Sequence, residues 1–116
     1  MESVVIPLDA ERSVSGWWMR PDGARAALVL AHGAGAGMTH KAMVATAEGL
    51  AARGIATLRY NFLYMERGSK RPYSPGLAHT AVRAAVAKAG ELAADLPLFA
   101  GGRSFGGRMT SQAQAE

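Results

Sequence analysis

The chain alternates short apolar runs with segments of helical periodicity, and this alternation restricts the folds that it can adopt. The apolar runs lie at residues 26–31, 55–62 and 96–100, and the helical segments at residues 39–53 and 76–92. The first run, A-A-L-V-L-A, has no polar residue at alternate positions, as expected of a strand buried on both faces of a parallel sheet. The order of these elements predicts an α/β fold with a mostly parallel sheet, right-handed crossovers and flanking helices.

Two further runs precede this pattern and predict an antiparallel amino-terminal hairpin. Residues 3–8 and 14–20 are rich in β-branched and aromatic side chains, and the polar residues 9–13 separate them. We expect Trp17 and Trp18 to belong to this hairpin, with one ring packed and the other exposed.

Caps and apolar faces define the two predicted helices. Thr39 is the expected N-cap of the first helix, which reaches about Arg53 and is stopped by Gly54. The second helix, residues 76–92, turns an apolar face to the core and follows a polar connection at residues 63–76. A loop of that length inside a small domain usually has a function.

The composition limits the chemistry that the protein can perform. The chain has 116 residues, enough for one domain, and 49% of them are hydrophobic, enough for a core. It has no cysteine, which excludes disulfides, thiolate nucleophiles and cysteine metal sites. No run is long enough to span a membrane, and the start lacks the features of a signal peptide. We therefore expect a cytoplasmic protein with no membrane partner, no metal and no cofactor.

The net charge of +4 does not indicate a nucleic-acid-binding protein, because the 13 basic and 9 acidic residues are spread along the chain. The one local cluster, Arg67, Lys70 and Arg71, lies beside glycine, serine and proline. We interpret it as a solvated loop rather than a phosphate site, and we expect no nucleic-acid partner.

Residues 102–106 have the sequence G-R-S-F-G, which fits the G-x-S-x-G nucleophile elbow. The pattern is short, but here it follows an apolar strand and opens a helix. Such a turn would strain the backbone of Ser104 and lift its hydroxyl above the carboxyl end of the sheet. Gly102 and Gly106 are then required, since a Cβ at either would strike the neighbouring strand or helix. In the alternative interpretation, Ser104 only caps the helix.

A second glycine-rich loop, H-G-A-G-A-G at residues 32–37, follows the first buried strand. Acyl transfer needs two backbone N–H donors aimed at the developing oxyanion, and an H-G-x-G loop typically supplies one. We predict the N–H groups of Ala34 and Phe105 as these donors. Dinucleotide binding is the competing interpretation, but G-x-G-x-x-G would need glycine in place of Met38, and no acidic residue ends the next strand. A P-loop is excluded because its lysine is absent from this segment.

The three histidines of the chain all precede Ser104. We interpret His32 as a structural residue that hydrogen-bonds within its glycine-rich loop, and His79 as a solvent-side helix residue. A further group of large side chains follows the second buried strand, where it either lines a pocket or packs: Tyr60, Phe62, Tyr64 and Met65.

Three segments together make the chain resemble an α/β-hydrolase of the dienelactone-hydrolase-like group: residues 27–38, 57–68 and 100–112. It is similar to a branch of small bacterial hydrolases related to testis-expressed protein 30 and to a subunit of the non-specific lethal chromatin complex. The resemblance covers essentially the whole chain, and the three segments occur in the order of the family.

The resemblance implies an esterase-like serine hydrolase that acts on the ester or similar acyl bond of a small molecule. It implies Ser104 as nucleophile and the N–H groups of Ala34 and Phe105 as the oxyanion hole. It also places residues 59–65 at the border of the substrate pocket, with Tyr64 and Met65 as the substrate-binding residues.

The triad of this fold runs serine, acid, histidine along the chain. After Ser104 the sequence contains one acidic residue, Glu116, and no histidine. We therefore expect residues 1–116 to be a single α/β-hydrolase domain, incomplete at its carboxyl end and nearly inactive alone, in a protein of roughly 200 residues. The strand at residues 96–100 would then have an exposed edge, which pairs with the carboxyl-terminal segment or with a second copy of the chain.

Two other classes of function stay open. One is a non-catalytic scaffold or interaction protein with a hydrolase-derived fold, and the other is a nucleotide-binding α/β domain. An acidic residue and a histidine downstream of Glu116 would support the enzyme, and their absence would support the scaffold.

Overall fold

The structure is a computed structural model, and it describes residues 2–33, 37–68 and 74–114. Five strands and four helices follow one another along these described residues. They are β1 (Glu2–Pro7), β2 (Ser13–Met19), β3 (Ala26–Ala31), α1 (Lys41–Ala51), β4 (Ile55–Tyr60), α2 (Leu63–Glu66), α3 (Pro75–Leu92), β5 (Leu98–Gly102) and α4 (Phe105–Gln114).

The strands form one mixed sheet in the order β1-β2-β4-β3-β5. β3 pairs in parallel with both β4 and β5, whereas β2 pairs antiparallel with β1 and β4. The predicted α/β architecture, with an antiparallel amino-terminal hairpin and flanking helices, is therefore confirmed. Because the three parallel strands end at the same edge of the sheet, the loops that follow them meet there.

The two central strands carry most of the core. All but the first residue of β4 are buried, and the last three residues of β3 are buried as well. α3 turns a face of small side chains toward them, and these let the helix backbone lie close to the sheet. The buried residues of that face are Ala78, Ala81, Val82, Ala85 and Ala89.

The carboxyl-proximal strand lies two residues later than the sequence pattern predicts. The N–H of Leu96 donates to the carbonyl of Ala93 at 3.0 Å in the turn after α3, and Pro97 has no N–H to offer. Parallel pairing with β3 therefore begins at Leu98 and continues to Gly102. Gly101 and Gly102, which lead into the elbow turn, thus belong to the strand itself.

The first helix also differs in detail from its prediction. His40, not Thr39, is the N-cap, with φ −60° and ψ 144° and a side chain that accepts from the N–H of Ala42. The helix ends at Ala51, earlier than predicted, and Gly54 follows with φ of 80°. A positive φ of this kind suits glycine, which explains why the chain turns there into β4.

The segment predicted as a polar connection contains the short helix α2. Its Glu66 carboxylate accepts a hydrogen bond from the N–H of Ser15, which ties α2 to β2. α3 begins at Pro75, one residue before its predicted start, with proline at a position where a missing N–H costs nothing. None of the helices in the described ranges is long and apolar enough to cross a membrane.

The tryptophans of the hairpin differ from their expected arrangement in one respect. Trp18 is buried, as one ring was expected to be. Trp17 is half-buried rather than exposed, because the guanidinium of Arg59 lies over its ring, 5.1 Å from the centroid. The two residues face each other in the pairing of β2 with β4.

β5 forms one edge of the sheet in the part of the chain that the structure describes. Its Phe99 is 60% exposed, which is unusual for a large apolar side chain. The expectation that a carboxyl-terminal segment or a second copy pairs with this edge stays a prediction.

Candidate active site

Three loops meet at the carboxyl edge of the parallel strands. His32 and Gly33 follow β3, Asn61 follows β4, and Arg103 and Ser104 follow β5. Open α/β sheets place their binding sites at this edge. The site is therefore built from the ends of three strands that lie side by side.

Ser104 is the turn between β5 and α4, and its φ is 48°. This confirms the strained strand-to-helix turn that the elbow pattern predicts. A capping residue has an extended backbone instead, so this φ favours the elbow over the interpretation that Ser104 only caps the helix. The residue is exposed, whereas the residues on the helix side of it, Phe105 and Gly106, are buried.

Two glycines allow the elbow to lie against β3. A Cβ on Gly102 would lie 2.6 Å from the carbonyl oxygen of Ala31, and a Cβ on Gly106 would lie 2.4 Å from that of His32. Both contacts are with the backbone of a central strand or its exit, which cannot move aside. The predicted need for glycine at these two positions is confirmed.

The glycine-rich loop after β3 passes directly beside the elbow. A Cβ built on Gly33 would lie 3.8 Å from the Cβ of Ser104 and 3.6 Å from the carbonyl oxygen of Arg103. Phe105 is the first residue of α4, where N–H groups have no partner within the helix and are available to an anion. Ala34, the other predicted donor, lies outside the described residues.

His32 is buried and hydrogen-bonded through both ring nitrogens. Nε2 accepts from the N–H of Phe62 at 3.0 Å, and Nδ1 lies 2.7 Å from the carbonyl oxygen of Gly33. Because a backbone N–H can only donate, Nε2 carries the lone pair and Nδ1 carries the proton that it donates to Gly33. This confirms His32 as a structural residue within its loop. Both nitrogens are engaged, so His32 is not placed to act as a general base.

Burial lowers the pKa of His32, and the hydrogen bond to Gly33 opposes this shift. The unfolded chain takes up this proton near pH 6.5 and the folded protein only at a lower pH. We therefore expect the free energy of unfolding to be greatest above about pH 6.5 and to fall below it, by up to about 1.4 kcal/mol per pH unit.

Urea unfolding measured between about pH 7.5 and pH 5 tests this expectation, with His32→Gln as the control that cannot take up the proton. The lowered pKa values of Asp9 and Asp95 are caused chiefly by hydrogen bonds from Arg12 and Arg20, and the stabilisation that they give is lost as the pH falls toward and below 3.8, outside the range measured. Equal pH dependence in the wild type and in H32Q would contradict the role of His32.

The predicted substrate-binding residues lie at different depths. Tyr64 is only 2% exposed, and its ring packs edge-on against those of Phe105 and His32, with centroids 6.0 and 5.9 Å apart. A small recess opens beside it, between Phe105 and Leu77. Met65 is half-buried and lies against the end of the glycine-rich loop. The role of Tyr64 and Met65 in binding a substrate stays a prediction.

Sequence reasoning placed Arg59 and Asn61 in the stretch that borders the substrate pocket, but it missed the contacts that they make with Met38. Asn61 Oδ1 accepts from the N–H of Met38 at 2.9 Å, and Arg59 donates to the carbonyl oxygen of Met38 at 3.0 Å. Burial lowers the pKa of Arg59, and the charge of Glu48 opposes this shift. The sequence did contain one signal for these contacts, which is the charged Arg59 inside an apolar run. A charged side chain in a buried strand needs a polar partner.

His79 is half-buried rather than on the solvent side of its helix. Its Nε2 lies 2.9 Å from the side-chain oxygen of Gln112, so it joins α3 to α4. Across residues 2–33, 37–68 and 74–114, no three potential metal-ligating side chains come together as a group.

A family model described as an alpha/beta hydrolase domain matches residues 24–116 of the chain. No curated protein is significantly similar to it.

Several solved structures share the fold. A dienelactone hydrolase from Anabaena variabilis has a TM-score of 0.84 and 24% identity, over 98% of this chain and 56% of that one. An alpha-beta serine hydrolase homologue from Coxiella burnetii has a TM-score of 0.80 and 19% identity, over 96% of this chain and 55% of that one. A thermostable carboxyl esterase from Bacillus coagulans has a TM-score of 0.81 and 14% identity, over 98% of this chain and 39% of that one. The chain thus spans about half the length of the first two proteins, and at these identities the likeness shows the fold alone.

Proposed function

This chain belongs to the alpha/beta hydrolase domain family, and we propose that its protein is a serine hydrolase that cleaves an ester or similar acyl bond through Ser104. One observation carries the proposal: Ser104 has φ of 48° on an exposed turn at the carboxyl edge of the parallel strands. Strain of this kind is retained where function requires it. The glycine-rich loop passes close beside the same residue.

In the proposed reaction, Ser104 Oγ gives its proton to a general base as it attacks the acyl carbonyl carbon and forms a tetrahedral intermediate. The N–H of Phe105, at the start of α4, and the N–H of Ala34 stabilise the oxygen that becomes negative. The intermediate then collapses: the ester C–O bond breaks, the base returns the proton to the departing alcohol, and the acyl group stays on Ser104. Water, deprotonated by the same base, then hydrolyses the acyl-enzyme to release the acid and free Ser104.

The nucleophile needs a base, and none of the three histidines is a good candidate for it. His32 has both nitrogens hydrogen-bonded, His40 caps α1, and His79 bonds to Gln112. We therefore propose that the triad acid and histidine follow residue 116 in the full-length protein, as the family order requires.

The proposed substrates are small esters. The similar folds include a dienelactone hydrolase and a carboxyl esterase, which supports this class of substrate. Tyr64 and Met65 are proposed to border the acyl or alcohol group, since both lie near the glycine-rich loop or Phe105. Assignment to the branch related to testis-expressed protein 30 rests on the three sequence segments alone.

Labelling with a fluorophosphonate tests the proposal. The full-length protein is treated with the probe and digested, and the modified residue is identified by tandem mass spectrometry. We expect the adduct on Ser104, because the probe reacts with an activated serine whichever acyl group the enzyme carries. Heat-denatured protein serves as the control and should not be labelled. An adduct on another serine would contradict the proposed nucleophile, and the absence of any adduct would favour the non-catalytic scaffold.

A further inference from the structure

The glycine-rich loop, residues 32–37, is held at its first end by the segment directly after β4. The N–H of Phe62 donates to His32 Nε2 at 3.0 Å, and His32 Nδ1 in turn donates to the carbonyl oxygen of Gly33 at 2.7 Å. The ring of His32 also packs edge-on against the ring of Phe62, with centroids 5.0 Å apart. The start of the loop is thus joined to β4 as well as to β3, from which it emerges.

The other end of the loop is held by the same part of β4. Met38, which directly follows the loop, is hydrogen-bonded through both of its backbone polar groups. Its N–H donates to Asn61 Oδ1 at 2.9 Å, and its carbonyl oxygen accepts from Arg59 Nη1 at 3.0 Å. Arg59 is 1% exposed, so this second bond is shielded from water. Residues 59–62, at the end of β4 and directly after it, therefore hold both ends of the loop.

Gly37 lets the loop come this close to Asn61. A Cβ at this position would lie 2.9 Å from Asn61 Oδ1 and 3.0 Å from Met65 Cγ. The oxygen is already engaged with the next N–H of the loop, so it has little freedom to move. The close contact therefore requires glycine at position 37 and a short polar side chain at position 61.

We propose that Asn61 is a positioning residue, which holds Met38 and with it the far end of the glycine-rich loop, in which the proposed function places one of the two donors to the oxyanion on Ser104. This inference rests on the proposed function. A donor that is misplaced by about 1 Å can cost about 100-fold in rate. The oxyanion exists only in the transition state and the intermediate, so the loss should fall on kcat and not on KM.

Asn61 is a better test than Arg59, because Arg59 is buried and packs against the Trp17 ring, so that its removal would destabilise the fold. Asn61 is half-buried and is the single asparagine of the chain. Asn61→Leu keeps the size of the side chain and removes the acceptor. Asn61→Asp keeps both the size and an oxygen that accepts from Met38.

The experiment measures kcat and KM for p-nitrophenyl acetate with the full-length wild type, N61L, N61D and S104A. We expect kcat of N61L to fall by about 10- to 100-fold with KM close to the wild-type value. N61D should recover most of that loss. Hydrogen exchange at the Met38 N–H should be faster in N61L than in the wild type and slow again in N61D.

The outcomes separate this inference from the proposed function. If S104A is inactive and N61L keeps the wild-type kcat, the positioning role of Asn61 is wrong and the proposed function stands. If N61L and N61D lose activity equally, the acceptor has no role and the inference is again wrong. If S104A keeps its activity, the proposed function fails and this inference fails with it.

Discussion

Replacing Ser104 with alanine should lower kcat for ester hydrolysis by the full-length protein by on the order of 10⁶-fold, the effect known for removal of a serine nucleophile. The remaining activity would come from the oxyanion donors and from substrate binding. The substitution leaves the turn intact, because alanine differs from serine only by the hydroxyl. The measurement compares purified wild type and S104A on p-nitrophenyl acetate, with enzyme concentration high enough to detect slow turnover.

Ser111→Ala is the matched control for this experiment. Ser111 is an exposed serine of α4, the helix that begins directly after Ser104. Its removal should leave kcat close to the wild-type value, as surface substitutions usually do. Near-normal turnover by S104A would show that another group is the nucleophile.

Replacing Gly106 with alanine should destabilise the fold by about 3 kcal/mol or more, because the added methyl group has no space. Its Cβ would lie 2.4 Å from the carbonyl oxygen of His32 and 2.8 Å from both the carbonyl carbon and the Cβ of Ala31. β3 lies between β4 and β5 and is paired on both sides, so it cannot withdraw. Urea unfolding of the full-length protein measures the change.

Gly101→Ala is the control for this prediction. Gly101 lies in β5, five residues before Gly106, and apart from Gly101 itself and its two chain neighbours no atom lies within 4 Å of the position that its Cβ would take. We expect its free energy of unfolding to differ from that of the wild type by about 0.5 kcal/mol or less. If G106A and G101A unfold at the same urea concentration, the close approach of elbow and β3 is not what makes Gly106 necessary.

The elbow could be predicted from the sequence because its requirements are local. An apolar strand, the pattern G-R-S-F-G and the beginning of a helix are consecutive in the chain, and together they determine the positive φ of Ser104. The close approach of Gly102 and Gly106 to β3 follows from the same turn. The general architecture was predictable for the same reason, since the alternation of strand and helix is read residue by residue.

The support of the glycine-rich loop could not be predicted in the same way. Met38 and its partners Arg59 and Asn61 are separated in the sequence by a whole helix and a strand, and only the pairing of β3 with β4 brings them together. The sequence shows that His32 lies in a tight loop, but not that the N–H of Phe62 would be its partner. Such contacts depend on the order of the strands in the sheet, which no local pattern contains.

The sequence pattern placed the start of β5 two residues too early, because two local features compete there. The residues from Leu96 onward are apolar enough for a strand, but the turn after α3 uses the N–H of Leu96, and Pro97 offers none. The residue pairing of β5 with β3 therefore begins at Leu98. The same shift brings the end of the strand up to the elbow, which places Ser104 directly at the edge of the sheet.

The most direct test of Ser104 as a nucleophile beside an oxyanion hole is a crystal structure of the full-length protein after reaction with a fluorophosphonate. The phosphorus atom should be bonded to Ser104 Oγ, and a phosphoryl oxygen should lie about 3 Å from the backbone nitrogens of Phe105 and Ala34, the distance of productive donors. A phosphoryl oxygen more than about 6 Å from both nitrogens, or phosphorus on a different residue, would contradict the proposed site.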